Sequence, residues 1–203
     1  MVAPRDIVDG LESVVSIYFS DVRHKQRAAF ILADELVEMI CKALAVASNQ
    51  NLGHIRFRNL LEHPAVNLNP KTEVLGSTLH RNHETRNSMQ HGNAAYTVDD
   101  QHCADAILDA VSTLEHCFPG AGDDLPESLK VSLRVVRLHS SKGDMRLRAE
   151  FEDAMRRHRW NGSNRLAKVS EPPVQVGNRR YWGLVLPAEY ATVEALLNRI
   201  GVP

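Results

Sequence analysis

The residues best suited to chemistry form the run Arg-Asn-Ser-Met-Gln-His at positions 86–91. Arg86 carries a planar guanidinium that can hold phosphate oxygens and the charge that grows on them in a transition state. His91 can take up and release a proton near neutral pH. Asn87, one turn earlier, can hydrogen-bond the His91 ring or a substrate oxygen. Together these three side chains could perform acid–base chemistry on a phosphodiester without a metal, and we assign them as the candidate catalytic residues.

The candidate residues fall on a helix predicted over residues 72–91, with Gly92 at the position of a left-handed C-terminal cap. At about 100° per residue, the polar side chains of this helix share one arc of about 100°: His80, His83, Glu84, Asn87 and His91. The opposite side is expected to face the core: Val74, Leu75, Thr78 and Met89. We therefore expect a polar cleft along this helix, and we assign these side chains as further substrate contacts: His80, His83, Glu84 and Gln90.

A metal site and purely structural roles are the alternatives for these polar side chains. A metal could bind His80, His83 and Glu84, but the helix lacks a histidine pair four residues apart, and no cysteine or aspartate set completes a four-ligand shell. We therefore predict no metal and no cofactor. The structural roles are a solvated polar face, an exposed ion pair of Arg86 and a helix cap at His91.

Bulk composition is that of an ordinary globular protein. The chain has 203 residues, of which 43% are hydrophobic and 24% charged. No apolar run approaches the ~20 residues that span a bilayer, and the N-terminus lacks a signal-peptide core. The three cysteines are odd in number and lack metal-type spacing, and two of them fall on apolar helical stripes: Cys41 and Cys117. These features predict a cytoplasmic protein with reduced thiols and no membrane partner.

Apolar residues recur at helical spacing through the first part of the chain. This spacing predicts long helices at 7–19, 23–48, 72–91 and from 97 to about 118, with a short helix at 55–62. The helix at 23–48 carries the richest stripe: Phe30, Ala33, Val37, Ile40 and Leu44, widened by Ile31, Leu32, Leu36 and Met39. We expect this helix to be central and nearly all buried, within a bundle of four antiparallel helices.

A change of character at residues 118–124 predicts a domain boundary. The run Phe-Pro-Gly-Ala-Gly-Asp-Asp breaks a helix and coincides with a change of charge. Residues 1–119 hold 10 Lys/Arg and 15 Asp/Glu, a net −5, whereas residues 120–203 hold 14 and 10, a net +4. We therefore predict a helical bundle over 1–119 and a small basic module over 120–203.

The second part mixes helix and strand patterns. Residues 133–138 are strand-like by residue type, although the helix start at 124–127 also allows a helix there. A helix is predicted at 144–158, a β-hairpin at 174–186 and a last helix at 188–200. The fold class is therefore mainly α, with a four-helix bundle followed by a small α+β module. A winged helix is the alternative for this module.

Basic residues lie beside aromatic ones in the second part, at 156–160 and 179–182. Arginines can hold phosphates while aromatic rings stack on bases, so the pattern suits RNA. We assign Arg179 and Arg180 as candidate substrate contacts. The alternative is that Trp160 and Trp182 are core residues and that the arginines are solvated.

Residues 7–118 resemble the HEPN family, the higher eukaryotes and prokaryotes nucleotide-binding domains. The family's catalytic members carry an arginine, four to six residues and then a histidine, often with a polar residue after the arginine and a glycine after the histidine. Arg86, Asn87, His91 and Gly92 fit the four-residue form. The family is an α-helical bundle with this motif late in the domain and an earlier long helix similar to residues 25–36.

The resemblance implies a metal-independent endoribonuclease in which two copies of the motif meet across a homodimer. His91 would help to activate the ribose 2′-hydroxyl or protonate the leaving 5′-oxygen, Arg86 would stabilise the transition state and Asn87 would orient the site. The product would be a 2′,3′-cyclic phosphate, and the RNA would be tRNA or another single-stranded cellular RNA. Such enzymes act as toxins or antiviral-defence effectors.

Two non-enzymatic interpretations remain. The same dimeric bundle could be a catalytically inactive adaptor that binds an antitoxin or another protein of a defence or toxin–antitoxin complex. A DNA-binding regulator would require the second part to be a true winged helix.

Overall fold

The computed structural model describes residues 2–20, 22–48, 54–91, 97–157 and 190–203, together with the short stretches 168–169, 174–176, 179–181 and 184–185. Within these ranges, side chains are described except at residues 155–192. The described residues contain eight helices: α1 (Arg5–Phe19), α2 (Lys25–Ala47), α3 (Phe57–Leu61), α4 (Val74–His91), α5 (Asp100–Cys117), α6 (Glu127–His139), α7 (Met145–Arg157) and α8 (Tyr190–Ile200). The expectation of a mainly helical protein is confirmed.

Four short strands lie between α7 and α8: β1 (Lys168–Val169), β2 (Val174–Val176), β3 (Arg179–Tyr181) and β4 (Leu184–Val185). β2 pairs antiparallel with β3, and β1 pairs antiparallel with β4. The β2–β3 pair sets Gln175 opposite Arg180, within the segment where a hairpin was predicted. The strand alternative for residues 133–138 is wrong, because these residues belong to α6.

α2 is the centre of the helical packing, and it contacts α1, α3, α4 and α5. Its buried stripe follows the predicted spacing: Phe30, Ala33, Val37 and Ile40. The expectation that α2 is buried nearly all round is wrong on one side, where Met39 has 46% of its surface exposed. An apolar residue is therefore left uncovered on the central helix.

α5 begins and ends at residues whose types favour the start and the end of a helix. The Asp99 carboxylate accepts a hydrogen bond from the backbone N–H of His102 at 2.8 Å, which satisfies a free donor of the first turn. The helix ends before Phe118, ahead of Pro119 and Gly120, and Gly120 has a positive φ of 87°. α5 thus presents a buried apolar face to α2: Cys103, Ala104, Ile107, Ala110 and Leu114.

α4 packs closely on the chain segment before it. A Cβ atom at Gly76 would lie 2.1 Å from the carbonyl oxygen of Leu68, so only glycine permits this approach. The buried residues of α4 are Gly76, Leu79 and Met89. The expected core side is therefore wrong in part, because Met89 is buried whereas Val74 is 85% exposed.

The helices after Pro119 share the hydrophobic core of the helices before it. α6 packs against α5 and α1, while α7 and α8 pack against each other and against α6. The large buried side chains on the C-terminal side include Leu129, Phe151 and Leu197. The division at residue 119 stays a prediction, as does the separate α+β module.

A buried polar pair joins α1 to α6. The Tyr18 hydroxyl and the His139 Nδ1 atom share a hydrogen bond of 3.0 Å. The His139 Nε2 atom is buried and has no hydrogen-bond partner in the described part of the chain. Burial, reinforced by the positive charge of Arg148, lowers the pKa of His139 to about 4.

The apolar stripes of the sequence predict core positions for two of the three cysteines. Cys41, Cys103 and Cys117 are all free and buried, so the core position expected for Cys41 and Cys117 is confirmed. Among the described helices, none has the length and apolar character needed to cross a bilayer.

Candidate functional site

The arginine of the motif meets a buried carboxylate of α2. Asp34 has 2% of its side chain exposed, and its Oδ2 atom lies 3.2 Å from Arg86 Nε. The same oxygen accepts a hydrogen bond of 2.9 Å from His83 Nδ1. A buried carboxylate is stable only when it is paired or hydrogen-bonded, so His83 and Arg86 jointly stabilise Asp34. We call these three residues the Asp34 junction.

The Arg86 guanidinium is surrounded by oxygen acceptors. Its Nη1 atom donates hydrogen bonds to Asn87 Oδ1 at 3.1 Å and to Gln90 Oε1 at 3.2 Å. Its Nη2 atom lies 3.9 Å from Glu35 Oε1 on α2. Only 16% of the side chain is exposed. The guanidinium is therefore held in one orientation, with part of its surface open to a ligand.

His83 links three helices through its ring. Besides its bond to Asp34 on α2, the ring stacks on Phe57 of α3, with centroids 4.2 Å apart and planes at 15°. The sequence assigned His83 to an open polar cleft, and the structure instead gives its side chain two partners inside the protein. His83 therefore connects α4 to α2 and α3, and it shares the Asp34 carboxylate with Arg86.

Three other residues of the predicted polar stripe lie on the outer side of α4. His80 Nδ1 is 3.6 Å from Glu84 Oε1, one turn later, near the surface. His91 is exposed in the last turn of α4 and makes no hydrogen bond or ion pair to a described residue. The single polar stripe predicted by the sequence is thus divided: His83 faces α2, Asn87 accepts a hydrogen bond from Arg86, and His80, Glu84 and His91 face outward.

The end of α4 that carries His91 is fixed to α2. Arg27 Nη2 donates a hydrogen bond of 2.7 Å to the carbonyl oxygen of Met89, and the Met89 side chain is buried. The last turn of a helix has free carbonyl groups, and a basic side chain commonly satisfies them. This contact fixes the turn from which His91 projects.

Sequence reasoning missed the residues of other helices that hold Arg86 and His83: Asp34 and Glu35 contact Arg86, and Asp34 and Phe57 contact His83. A signal for Asp34 exists, because it lies four residues after Phe30 and three before Val37, within the buried stripe of α2. A carboxylate at a core position requires a partner, and the arginine and histidine of α4 are natural ones. The signal does not specify which of the chain's cations is the partner.

Arg179 and Arg180, two of the predicted substrate contacts, lie on β3. The structure describes their backbone and not their side chains. Gly92 lies outside the described residues. Within the described part, no group of three or more His, Cys, Asp or Glu side chains is arranged to hold a metal ion.

Comparison of the chain with protein-family models, with curated proteins and with solved structures finds no match.

Proposed function

We propose that this protein is a metal-independent endoribonuclease that acts as a cytoplasmic homodimer on tRNA or another single-stranded RNA, as a toxin or antiviral-defence effector. The observation that carries the proposal is the fixed Arg86 guanidinium on the same helix as the exposed His91, five positions later. A cation held in one orientation can stabilise a phosphorane-like transition state without first being ordered. An imidazole open to solvent can exchange protons with a substrate.

In the proposed reaction, His91 of one copy removes the proton of a ribose 2′-hydroxyl, and the oxygen attacks the adjacent phosphorus. The bond from phosphorus to the 5′-oxygen breaks, and the partner's His91 supplies the proton that this oxygen needs. Arg86 holds the phosphate oxygens throughout, while Asn87 and Gln90 orient the guanidinium. The products are a 2′,3′-cyclic phosphate and a 5′-hydroxyl end.

The proposed dimer is supported by an apolar stripe on α2 that is uncovered over its C-terminal part. Leu32, Met39 and Val46 follow one another at seven-residue spacing; Leu32 is partly buried against the core, whereas Met39 and Val46 have 46% and 58% of their surfaces exposed. This spacing places them on one side of the helix, as at a helix–helix interface. Glu35 lies on the same side and contacts Arg86, so a second copy seated on the stripe would bring two Arg86 sites together.

The residues after the bundle are proposed to form a small basic α+β module that helps to hold RNA. Its support is the net charge of +4 over residues 120–203 and the antiparallel pairing of β2 with β3, which carries Arg179 and Arg180. We propose that these two arginines contact the phosphate backbone. Their replacement should weaken RNA binding and reduce its dependence on salt.

The second candidate function is a catalytically inactive dimeric adaptor in a defence or toxin–antitoxin complex. The observation that favours it is the pairing of Arg86 with two carboxylates, Asp34 and Glu35. These charges offset the guanidinium's positive charge and compete with a phosphate for it. In the adaptor, Arg86 serves to hold α4 on α2.

RNA cleavage in EDTA separates the two candidates. His91→Ala should reduce cleavage by about 10²–10⁴-fold, the usual contribution of a general acid–base group, without changing the fold. The matched control is His80→Ala, which removes an imidazole from the outer side of the same helix and should have a much smaller effect. Equal cleavage by wild type and His91→Ala would overturn the ribonuclease proposal and leave the adaptor.

The dimer is tested by placing a charge on the apolar stripe. Met39→Glu should convert a dimer into a monomer of 22.7 kDa at micromolar concentration, because a carboxylate would be buried at the interface. Light scattering measures the mass, and Val74→Glu on the exposed start of α4 is the matched control. A monomeric wild type would remove the composite site.

A further inference from the structure

A cleft between α4 and α5 lies on the flank of α4 that faces away from His80 and His91. Its α4 wall is formed by Thr78, Arg81, Asn82 and Thr85, on average about 140° around the helix from the outward histidines. The cleft has a volume of about 540 Å³, and the buried ring of Phe30 contributes to its lining. This volume is in the range of sites for small molecules.

The α5 wall presents two carboxylates one helical turn apart, Asp105 and Asp109. Asp105 Oδ1 accepts a hydrogen bond of 2.9 Å from the backbone N–H of Ser141, and Asp109 Oδ2 accepts one of 3.1 Å from Asn82 Nδ2. Each carboxylate thus has its second oxygen left, and neither forms an ion pair with a described residue. Burial, the largest cause, raises the pKa of Asp109, and the charge of Asp105 adds to this effect, whereas the Asn82 hydrogen bond and the positive charges of Lys142 and Arg81 oppose it.

The hydroxyl groups of the α4 wall add further acceptors. Thr78 donates its hydroxyl proton to the Val74 carbonyl at 3.1 Å, and Thr85 donates its own to the Arg81 carbonyl at 3.0 Å. The Thr85 oxygen keeps its lone pairs for a ligand, and the Thr78 oxygen, which accepts a 3.5 Å hydrogen bond from Arg81 Nη2, keeps one. The Asn82 amide nitrogen is engaged with Asp109, so its carbonyl oxygen is the group left to face a ligand. The walls of the cleft therefore suit a group rich in N–H donors.

A cation stands beside these acceptors. Arg81 is exposed, and its Nη2 atom lies 3.5 Å from Thr78 Oγ1. It forms no ion pair with any residue that the structure describes, and its planar fork matches a carboxylate. The lining of the cleft thus combines acceptor groups on both helices with the Arg81 guanidinium on α4.

We propose that this cleft binds a small zwitterion of the basic amino acid class. The guanidinium or ammonium end lies at Asp105 and Asp109, and the carboxylate end pairs with Arg81. The proposal does not depend on the ribonuclease, because the cleft and the Arg86 site lie on different flanks of α4.

Isothermal titration with three related compounds tests both ends of the ligand. L-arginine carries both charges, agmatine lacks the carboxylate, and citrulline lacks the cationic head. Wild type should bind L-arginine about tenfold or more tightly than either of the others, since each lost charge-assisted contact costs at least that factor. Glu73→Gln, an exposed carboxylate next to the start of α4 and outside the cleft lining, is the matched control and should bind as wild type does.

Variants assign each end to its residues. Asp109→Asn should weaken L-arginine about tenfold or more. Arg81→Ala should weaken L-arginine to the level of agmatine and leave agmatine unchanged; since Arg81 is exposed, this variant tests the cleft even if Asp109→Asn fails to fold. The proposal is overturned if wild type binds none of the compounds at about 10 mM, if agmatine or citrulline binds as tightly as L-arginine, or if folded Asp109→Asn binds like wild type.

Discussion

The Asp34 junction and the Tyr18–His139 contact are buried polar contacts that each join helices of the described part of the chain, and they are built differently. The Asp34 junction combines an acid with two basic side chains at the edge of the bundle, where Arg86 retains some exposure. The Tyr18–His139 contact pairs a phenol with an imidazole in the core, and leaves His139 Nε2 without a partner among the described residues. The first can accommodate charge and the second excludes it. A candidate site for a phosphate is therefore compatible with the first and not with the second.

The largest expected effect comes from removing the arginine of the Asp34 junction. Arg86→Ala should destabilise the protein by about 3–5 kcal/mol, because it removes a cation from a buried carboxylate. If the protein is a ribonuclease, cleavage should also fall, and Arg86→Lys should not restore it because lysine lacks the planar fork. Urea unfolding measures the stability. An unchanged unfolding midpoint in Arg86→Ala would show that Asp34 does not depend on this partner.

The free energy of unfolding should fall at low pH, because burial lowers the pKa of His139. Its folded-state pKa of about 4 lies below the ordinary value of 6.5. The unfolded chain therefore binds more protons between these values, and stability is lost as the pH falls from about 6.5 to about 4, by up to about 3 kcal/mol.

His139→Gln isolates this effect, since an amide can accept the Tyr18 hydrogen bond and does not titrate. The unfolding free energy of wild type minus that of the variant should be smaller at pH 4.5 than at pH 7. A difference that is constant with pH would mean that His139 titrates normally in the folded protein.

The smallest of these effects concerns Asp34 itself. Asp34→Asn removes the charge but keeps an acceptor for His83, and Arg86 retains its contacts with Glu35, Asn87 and Gln90. We expect a loss of about 1–3 kcal/mol. A double-mutant cycle with Arg86→Ala should give a coupling energy of at least about 0.5 kcal/mol, the level that distinguishes contacting residues from independent ones. If the losses of unfolding free energy in the two single variants add up to the loss in the double variant, Asp34 and Arg86 are not coupled.

Periodicity in the sequence predicted the helices well and the environment of their polar residues poorly. The apolar stripes of α2 and α5 specify both a helix and its buried face, because several positions agree. In α6 the β-branched residues Val135 and Val136 suggested a strand, but the start at Pro126 and Glu127 and the packing on α5 outweigh their local preference.

The candidate site was harder to predict, because its partners are far apart in the chain. The residues of α4 were found from their spacing alone, since a helix sets the angle between them. Their orientation was wrong in part, because Asp34 draws His83 and Arg86 inward, and hydrophobic periodicity gives no weight to such a pairing. His139 offered no signal, because a fully buried histidine is rare and its contact with Tyr18 joins residues 121 positions apart.

The two attachments of α4 have a mechanical consequence. At one end, Gly76 brings the helix against the carbonyl of Leu68, and at the other, Arg27 binds the carbonyl of Met89. A helix anchored at both ends can neither slide by one turn nor rotate about its axis without breaking a contact. α4 is therefore held at both ends. A displacement of the helix at Gly76 would also move the turn that holds His91.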